Sequence, residues 1–339
     1  MASCGEDKSV CLWVLEGSTW KFACSSTESH TRTVRHVSWS PSDNYLATAS
    51  FDSAVVIWRI VTSEGAVDLQ SIAILEGHAN EVKCVAWAVS GHLLATCGRD
   101  KSVWIWEFDD EEDFQCVSVL QPHNADVKSV FWHPIKEVQQ AMTTQSICIK
   151  RSWMIGQFHP KDVFSILLLL YLAGHDSTVW KAEFSPTGEL LASVSEDKSV
   201  KLWHELPNND SLHWVCFKTL ADCHAAPVSP CGQYLATCGG DNCVFIFRVK
   251  LASGNFLDAP STGNVVVWQN LPKAHDSDVN SVTWFPKVCN KSETSHKAAY
   301  LLATAGDDRL VNLWTVPLDP DCIDCFVHSQ TTVDEFDVD

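Results

Sequence analysis

His78, Thr96 and Asp100 are side chains of the kinds that move protons and activate hydroxyls, and they share the stretch from Leu75 to Trp106, LEGHANEVKCVAWAVSGHLLATCGRDKSVWIW. A hydroxyl, an imidazole and a carboxylate within reach of one another is the constellation of nucleophilic catalysis. The same residue types recur along the chain, however. An Asp stands six residues before an aromatic at Asp7 and Trp13, Asp52 and Trp58, Asp100 and Trp106, Asp197 and Trp203, Asp241 and Phe247, and Asp308 and Trp314. A His stands 28 residues before that aromatic at His30, His78 and His175. An active site is not copied at every repeat of a chain, so a structural role is favoured for the set. Other catalytic signatures are missing: the sequence holds no G-x-S-x-G, no G-x-x-x-x-G-K-[ST] and no H-E-x-x-H. Cys322 and Cys325 make a lone C-x-x-C, which lacks the other two ligands of a tetrahedral metal site. No catalytic residue, metal or cofactor is expected, and the chain reads as a non-enzyme.

The elements that position these residues follow from the same stretch. It runs through a Gly-His pair, a β run ending in Trp87, a Ser-Gly turn, the strand HLLATC, a tight turn at Asp100 and a last strand closing on Trp106. A period of roughly 40 to 50 residues with a Gly-His and Trp-Asp type signature resembles the WD-repeat β-propeller, in which each repeat supplies four strands. The expected fold is therefore all-β, a seven-bladed WD-repeat β-propeller over residues 1–316, with an acidic tail at 317–339. In a resembling propeller the His before the first strand, a Ser or Thr in the second, the Asp of the turn and the Trp of the third form one hydrogen-bonded set per blade. The resemblance implies three such sets: His30, Thr48, Asp52 and Trp58; His78, Thr96, Asp100 and Trp106; His175, Ser193, Asp197 and Trp203. Buried polar groups of these kinds cost about 1 to 3 kcal/mol each when unpartnered, and such a set partners them.

The repeats are unequal. The segment ASCGEDKSVCLW matches only the second half of the guiding stretch, so the first blade is expected to be incomplete, short of two strands, with Cys322 to His328 the spare segment that could pair at its exposed edge. The fourth repeat begins at His123 and loses the pattern after Pro134; Gln145 stands where Asp belongs and Arg151 where Trp belongs, so residues 135–165 read as a degenerate blade. In the sixth, His224 reaches Phe247 in 23 residues instead of 28, and the inner strand near 224–230 is expected to be short. The seventh carries 11 extra residues between Pro286 and Asp308, a loop insertion.

Composition narrows the class of partner. A net charge of -18, with 42 acidic residues, argues against direct nucleic-acid binding, which needs clustered Lys and Arg. The N-terminus has no basic segment followed by an apolar core, and the longest apolar run, Ile166 to Leu172, is far shorter than the roughly 20 residues that span a bilayer. Fifteen cysteines at mostly strand positions suit reduced thiols in a cytoplasmic protein. The acidic run Asp109 to Asp113 reads as a solvated connector.

In the propeller architecture the His loop and the Asp turn open on one face, so the residue before that Asp and those flanking the first Val of the inner strand look outward. After the Val come Arg35, Lys83, Lys128 and Trp180; before the Asp come Phe51 and Arg99. Four basic groups and two aromatics on so acidic a chain read as a docking surface for a protein partner, with Arg99 foremost.

The segments HTRTVRHVSWSPSDNYLATASFD, LEGHANEVKCVAWAVSGHLLATCGRDKSVWIWE and CVSVLQPHNADVKSVFWHP are similar to the WD-repeat protein of the cytosolic iron–sulfur assembly machinery. That resemblance implies a scaffold or adapter of the complex that targets clusters to cytosolic and nuclear apoproteins. The partners it implies are a small acidic cluster-targeting protein, a large helical-repeat scaffold, an iron-only-hydrogenase-like carrier and client enzymes, including those of DNA metabolism. A generic WD-repeat adapter in signalling or ubiquitin-ligase substrate recognition is the alternative. A direct cluster carrier would instead need cysteines that converge in space.

Overall fold

The computed structural model describes residues 1–16, 19–63, 65–109, 112–121, 123–134, 139–143, 174–206, 213–221, 228–230, 234–250, 264–285, 289–290, 298–317 and 328–329. Nearly all of the degenerate stretch 135–165, the apolar run Ile166 to Leu172, most of the seventh-repeat insertion and Cys322 and Cys325 lie outside these residues. Every element among the described residues is a β-strand, and the sheets are antiparallel. Two compact units divide the chain, residues 1–179 and 180–339.

The first unit opens with a three-stranded sheet in the order β1 (Ala2–Cys4), β2 (Val10–Glu16), β3 (Thr19–Ser26). This corrects the expectation of two missing strands. Thr19–Ser26 pairs back along Val10–Glu16 and supplies a third strand, so the first sheet has three strands among the described residues. The next sheet is β4 (Val34–Trp39), β5 (Tyr45–Ser50), β6 (Val55–Ser63), β7 (Ala66–Leu75), in that order. It is followed by β8 (Val82–Trp87), β9 (Leu93–Gly98), β10 (Val103–Phe108), β11 (Phe114–Leu120), again in sequence order. A two-stranded pair, β12 (Val127–Trp132) and β13 (Gln139–Thr143), completes the unit.

The second unit continues the pattern with β14 (Val179–Phe184), β15 (Leu190–Ser195), β16 (Val200–Leu206) and β17 (His213–Leu220). Then come β18 (Val228–Pro230), β19 (Tyr234–Cys238), β20 (Val244–Lys250) and β21 (Asn264–Leu271). The inner strand β18 is three residues long, against six for β8. The last sheet holds β22 (Val279–Trp284), β23 (Cys289–Asn290), β24 (Ala298–Gly306), β25 (Val311–Pro317) and β26 (His328–Ser329). The described tail residues therefore pair with β25 as the outer strand of the last sheet, Leu313 opposite Ser329. This differs from the expected pairing at the first sheet; the rest of Cys322 to His328 lies outside the described residues.

Why these residues form sheets is visible in the second strand of each repeat. Segments such as LLATCG at β9 and LLASVS at β15 are buried at every residue. A short continuous apolar run bounded by turn residues suits a strand covered on both faces. Sheets stack face to face. Ala47, Ala49, Val55 and Ile57 of the second sheet pack with Val82, Val85, Leu94 and Trp106 of the third, small residues on one side receiving large ones from the other. In the second unit Leu190, Ala192, Val200 and Leu202 pack against Leu235, Phe247 and Val249 in the same way. The fourth strand of the second sheet is only partly covered, and Ile74 on β7 is 55% exposed.

Two irregularities repeat. The residue after the turn Asp is left-handed without being glycine: Lys8, Ser53, Lys101, Lys198, Asn242 and Arg309 have φ between 62° and 75°. Such a conformation costs an L-residue about 1 to 2 kcal/mol. The Asp offsets it by accepting the backbone N–H two residues on, from Ser9 to Asp7 at 2.9 Å, Ala54 to Asp52 at 3.0 Å and Ser102 to Asp100 at 3.1 Å. The second irregularity is a β-bulge in the inner strand. The register skips Arg35 between Val34 and His36, Lys83 between Val82 and Cys84, Lys128 between Val127 and Ser129, and Asn280 between Val279 and Ser281.

Candidate functional site

Among the described residues, the hydroxyl, imidazole and carboxylate groups come together around His78, His30 and His275. His78 Nδ1 lies 2.7 Å from Asp100 Oδ2 and its Nε2 lies 2.8 Å from Thr96 Oγ1, which accepts the Trp106 indole N–H at 3.1 Å. The corresponding distances are 3.0, 2.8 and 3.0 Å for His30, Asp52, Thr48 and Trp58. They are 2.9, 2.8 and 2.9 Å for His275, Asp308, Thr304 and Trp314. For Ser193, Asp197 and Trp203, the Trp203 indole donates to Ser193 at 2.9 Å and Asp197 accepts from Ser199.

One assignment of protons satisfies each complete set: the indole donates to the hydroxyl, the hydroxyl to Nε2, and Nδ1–H to the carboxylate. That is the polarity of a hydrolytic relay, yet it is chemically closed. Thr48 and Thr96 are 0% exposed and Thr304 is 1% exposed, so no substrate carbonyl can approach the hydroxyl. Burial alone would raise the Asp100 carboxyl; hydrogen bonds from His78 and Ser102 outweigh it and hold Asp100 at about 2. Asp52 and Asp308 are also held below the usual carboxylate range against the effect of burial, by backbone N–H groups of Thr31 and Ala54 in one case and by His275 with the Leu310 and Asp276 N–H groups in the other. The sets tie strand, turn and loop together in one network.

His123 is the odd member. It is 7% exposed, its Nε2 has no hydrogen-bond partner among the described residues, and burial pushes its ring down to about 4. The Asp expected for it is Gln145 in the sequence, outside the described residues.

Three of the positions expected to look outward, Arg35, Lys83 and Lys128, fall on the bulges. A bulge inserts a residue that neither the ladder nor the core needs and re-aims its side chain. Arg35, exposed, and Lys83 and Lys128 occupy that position in three neighbouring sheets of the first unit. Lys83 reaches Asp126 at 2.5 Å, and Lys128 reaches the same carboxylate at 3.3 Å. Partial burial and the Lys83 ammonium beside it lower the Lys128 ammonium from the usual lysine range. Arg99, with 59% of its side chain exposed, lies 3.3 Å from Glu81, which also meets Arg32 at 3.4 Å. The Arg32 guanidinium donates to the Phe51 carbonyl at 2.6 Å and sits 5.9 Å from the Phe51 ring centroid, so Phe51 is a half-buried platform under a cation. Trp180, in the second unit, is 38% exposed on β14.

Arg32, Glu81 and Asp126 were absent from the sequence-derived set. Their signal was available, because Glu81 and Asp126 directly precede the Val residues whose following neighbours drew attention. They interleave two carboxylates with five cations, Arg32, Arg35, Lys83, Arg99 and Lys128. Arg32 and Arg99 are the exposed cations, 56% and 59% of their side chains, whereas Lys83 and Lys128 are mostly covered around Asp126; pairs with an exposed partner are worth at most about 1 kcal/mol, so the two arginines stay exchangeable toward a stronger anionic partner. In the second unit the bulge residue is Asn280, whose amide donates to Asp307, and Asp278 precedes its Val. The five cations named above all belong to the first unit.

Among the described residues no group of three or more His, Cys, Asp or Glu could hold a metal ion, and no helix is long and apolar enough to cross a membrane. The model of the WD domain, G-beta repeat family matches residues 22–59, 69–107, 167–204, 215–248 and 267–315. The chain is 44% identical over 334 residues to a probable cytosolic iron-sulfur protein assembly protein CIAO1 homolog of Schistosoma japonicum, covering 93% of this chain and 91% of that protein. It is 38% identical over 332 residues to the probable cytosolic iron-sulfur protein assembly protein Ciao1 of Culex quinquefasciatus, with 93% and 90% covered. A probable cytosolic iron-sulfur protein assembly protein 1 of Vanderwaltozyma polyspora is 35% identical over 340 residues, with 84% and 82% covered.

Proposed function

Since the chain belongs to the WD40-repeat family and, within it, to the cytosolic iron–sulfur protein assembly proteins, we propose that it is a non-catalytic adapter of the complex that targets clusters to cytosolic and nuclear apoproteins. In this reading residues 1–316 form one seven-bladed propeller in the cytoplasm, and residues 317–339 are a tail. Its partners are proteins: a small acidic cluster-targeting protein, a helical-repeat scaffold, an iron-only-hydrogenase-like carrier and client apoproteins.

The observation that carries the reading is the placement of Arg35, Lys83 and Lys128 on β-bulges, with Arg99 and Arg32 around Glu81, on a chain of net charge -18. Cations set out by the backbone rather than by the core are suited to meet an acidic surface. Their role is orientation and rate of encounter more than raw affinity. Phe51 and Trp180 add apolar area of the type that anchors interfaces.

The test is an affinity pull-down from cytosol with the wild type and Arg99→Glu, bound proteins being identified by mass spectrometry. Recovery of cluster-assembly proteins by the wild type and their loss with Arg99→Glu, at an unchanged melting temperature, supports both the function and the site. Equal recovery by both forms removes Arg99 from the site. Recovery of signalling or ubiquitin-ligase components in their place favours a generic adapter.

A further inference from the structure

Cys84 and Cys97 serve neither the hydrogen-bonded sets nor the outward cations. They are cross-strand partners, Cys84 on β8 directly opposite Cys97 on β9 in the first register pair beyond the bulge at Lys83. Partners in register point to the same face, and both thiols turn toward β12: Cys84 Sγ donates to the Val130 carbonyl at 3.4 Å and Cys97 Sγ to the Val127 carbonyl at 3.6 Å. Both are free thiols, Cys84 5% exposed and Cys97 0% exposed. β4 packs against β8, and His36 on β4 is near enough to Cys84 to favour its ionised form. The buried His36 Nδ1 has no hydrogen-bond partner among the described residues.

From this juxtaposition we propose that Cys84 and Cys97 are a dithiol that a small hydroperoxide oxidises to a cross-strand disulfide, with His36 accepting the Cys84 proton. The inference stands independently of the adapter reading.

The chemistry balances with hydrogen peroxide as the oxidant. His36 takes the proton of the Cys84 thiol. The thiolate attacks one peroxide oxygen, the O–O bond breaks, and the departing hydroxide leaves as water with the proton held by His36. Cys84 is then a sulfenic acid, which condenses with the thiol opposite it; the S–S bond forms, the S–O bond breaks and a second water leaves with the Cys97 proton. Two electrons pass from the sulfur pair to the peroxide. The electrostatics favour Cys84 as the attacking group. The neighbouring Cys97 thiol and His36 hold Cys84 below the usual thiol range against burial, whereas burial holds Cys97 above that range. Cys84 and Cys97 are both buried, at 5% and 0% exposure, so the oxidant that reaches them has to be small. The product would fasten the two strands immediately beside Lys83, since a disulfide draws its Cβ atoms to about 3.8 Å.

The experiment treats the reduced full-length chain with stoichiometric hydrogen peroxide, blocks remaining thiols by alkylation and maps the unreduced peptides by mass spectrometry. A Cys84–Cys97 linked peptide as the first disulfide formed is the expected result. Recovery of Cys84 and Cys97 as alkylated thiols while the exposed Cys116 is oxidised overturns the proposal, as does a linked peptide that appears only in urea. His36→Gln is expected to slow formation of the link at least tenfold, the lower range of general-base effects being on the order of a hundredfold. An unchanged rate in that variant, with its melting curve intact, overturns the assignment of His36. Because the wild-type map decides the pairing, the proposal does not depend on Cys84→Ser or Cys97→Ser folding.

Discussion

His123 makes the folded chain sensitive to mild acid, and the size of the effect follows from its surroundings. The ring is 7% exposed, lacks a partner for Nε2 among the described residues, and is pushed by burial from 6.5 down to about 4. Above pH 6.5 it is neutral in both the folded and the unfolded chain. As the pH falls from 6.5 toward 4 only the unfolded chain takes up the proton, so stability falls with pH across that window and levels off below it. Between pH 7 and pH 5 the linkage amounts to roughly 2 kcal/mol, at 1.36 kcal/mol per unit of differential protonation. His123→Leu removes the titration and keeps an apolar side chain of similar reach. Urea denaturation followed by tryptophan fluorescence at the two pH values should show the wild type losing roughly 2 kcal/mol more than the variant. If the two forms lose stability in parallel, the imidazole is not held neutral by burial and the reasoning fails.

Two further substitutions test the frame around the cations. Trp106→Ala removes a buried aromatic whose indole holds Thr96, and should cost about 3 to 5 kcal/mol in chemical denaturation; a denaturation curve identical to the wild type would contradict a structural role for the set. Gly98→Ala places a methyl group against the Glu81 carbonyl, which accepts the Arg99 backbone N–H at 2.9 Å. It should destabilise by about 1 to 3 kcal/mol as other overpacking substitutions do, and calorimetry showing no fall in melting temperature would place Glu81 elsewhere.

How far the sequence was legible depends on how local each signal was. The spacing of Asp100 and Trp106, or of His78 and Thr96, lies within one repeat, because a strand, a turn and a strand have fixed lengths. Thr304 was harder to see, since the long segment between His275 and Asp308 breaks the count. In the first sheet the repeat motif closes on Trp13 and assigns nothing to Thr19–Ser26, and only the pairing of that segment with Val10–Glu16 shows which sheet it belongs to. Ion pairing was the least legible. Lys83 and Asp126 are 43 residues apart and Arg32 and Glu81 are 49 apart, so each pair joins neighbouring repeats that no local pattern connects. Phe51 was expected to look outward and is half-buried with Arg32 over it, for the same reason.

The inner-strand bulge has a consequence for how such a chain can diverge. Arg35, Lys83, Lys128 and Asn280 share one backbone position and differ in charge and size. Each is the surplus residue of its ladder, so exchanging it leaves the strand pairing, the packed face and the buried network of its own sheet intact. Mutational drift at that position is therefore nearly uncoupled from foldability. The chemistry displayed at that position can therefore change from sheet to sheet while the interior stays as it is, except where two of these residues share a partner, as Lys83 and Lys128 share Asp126.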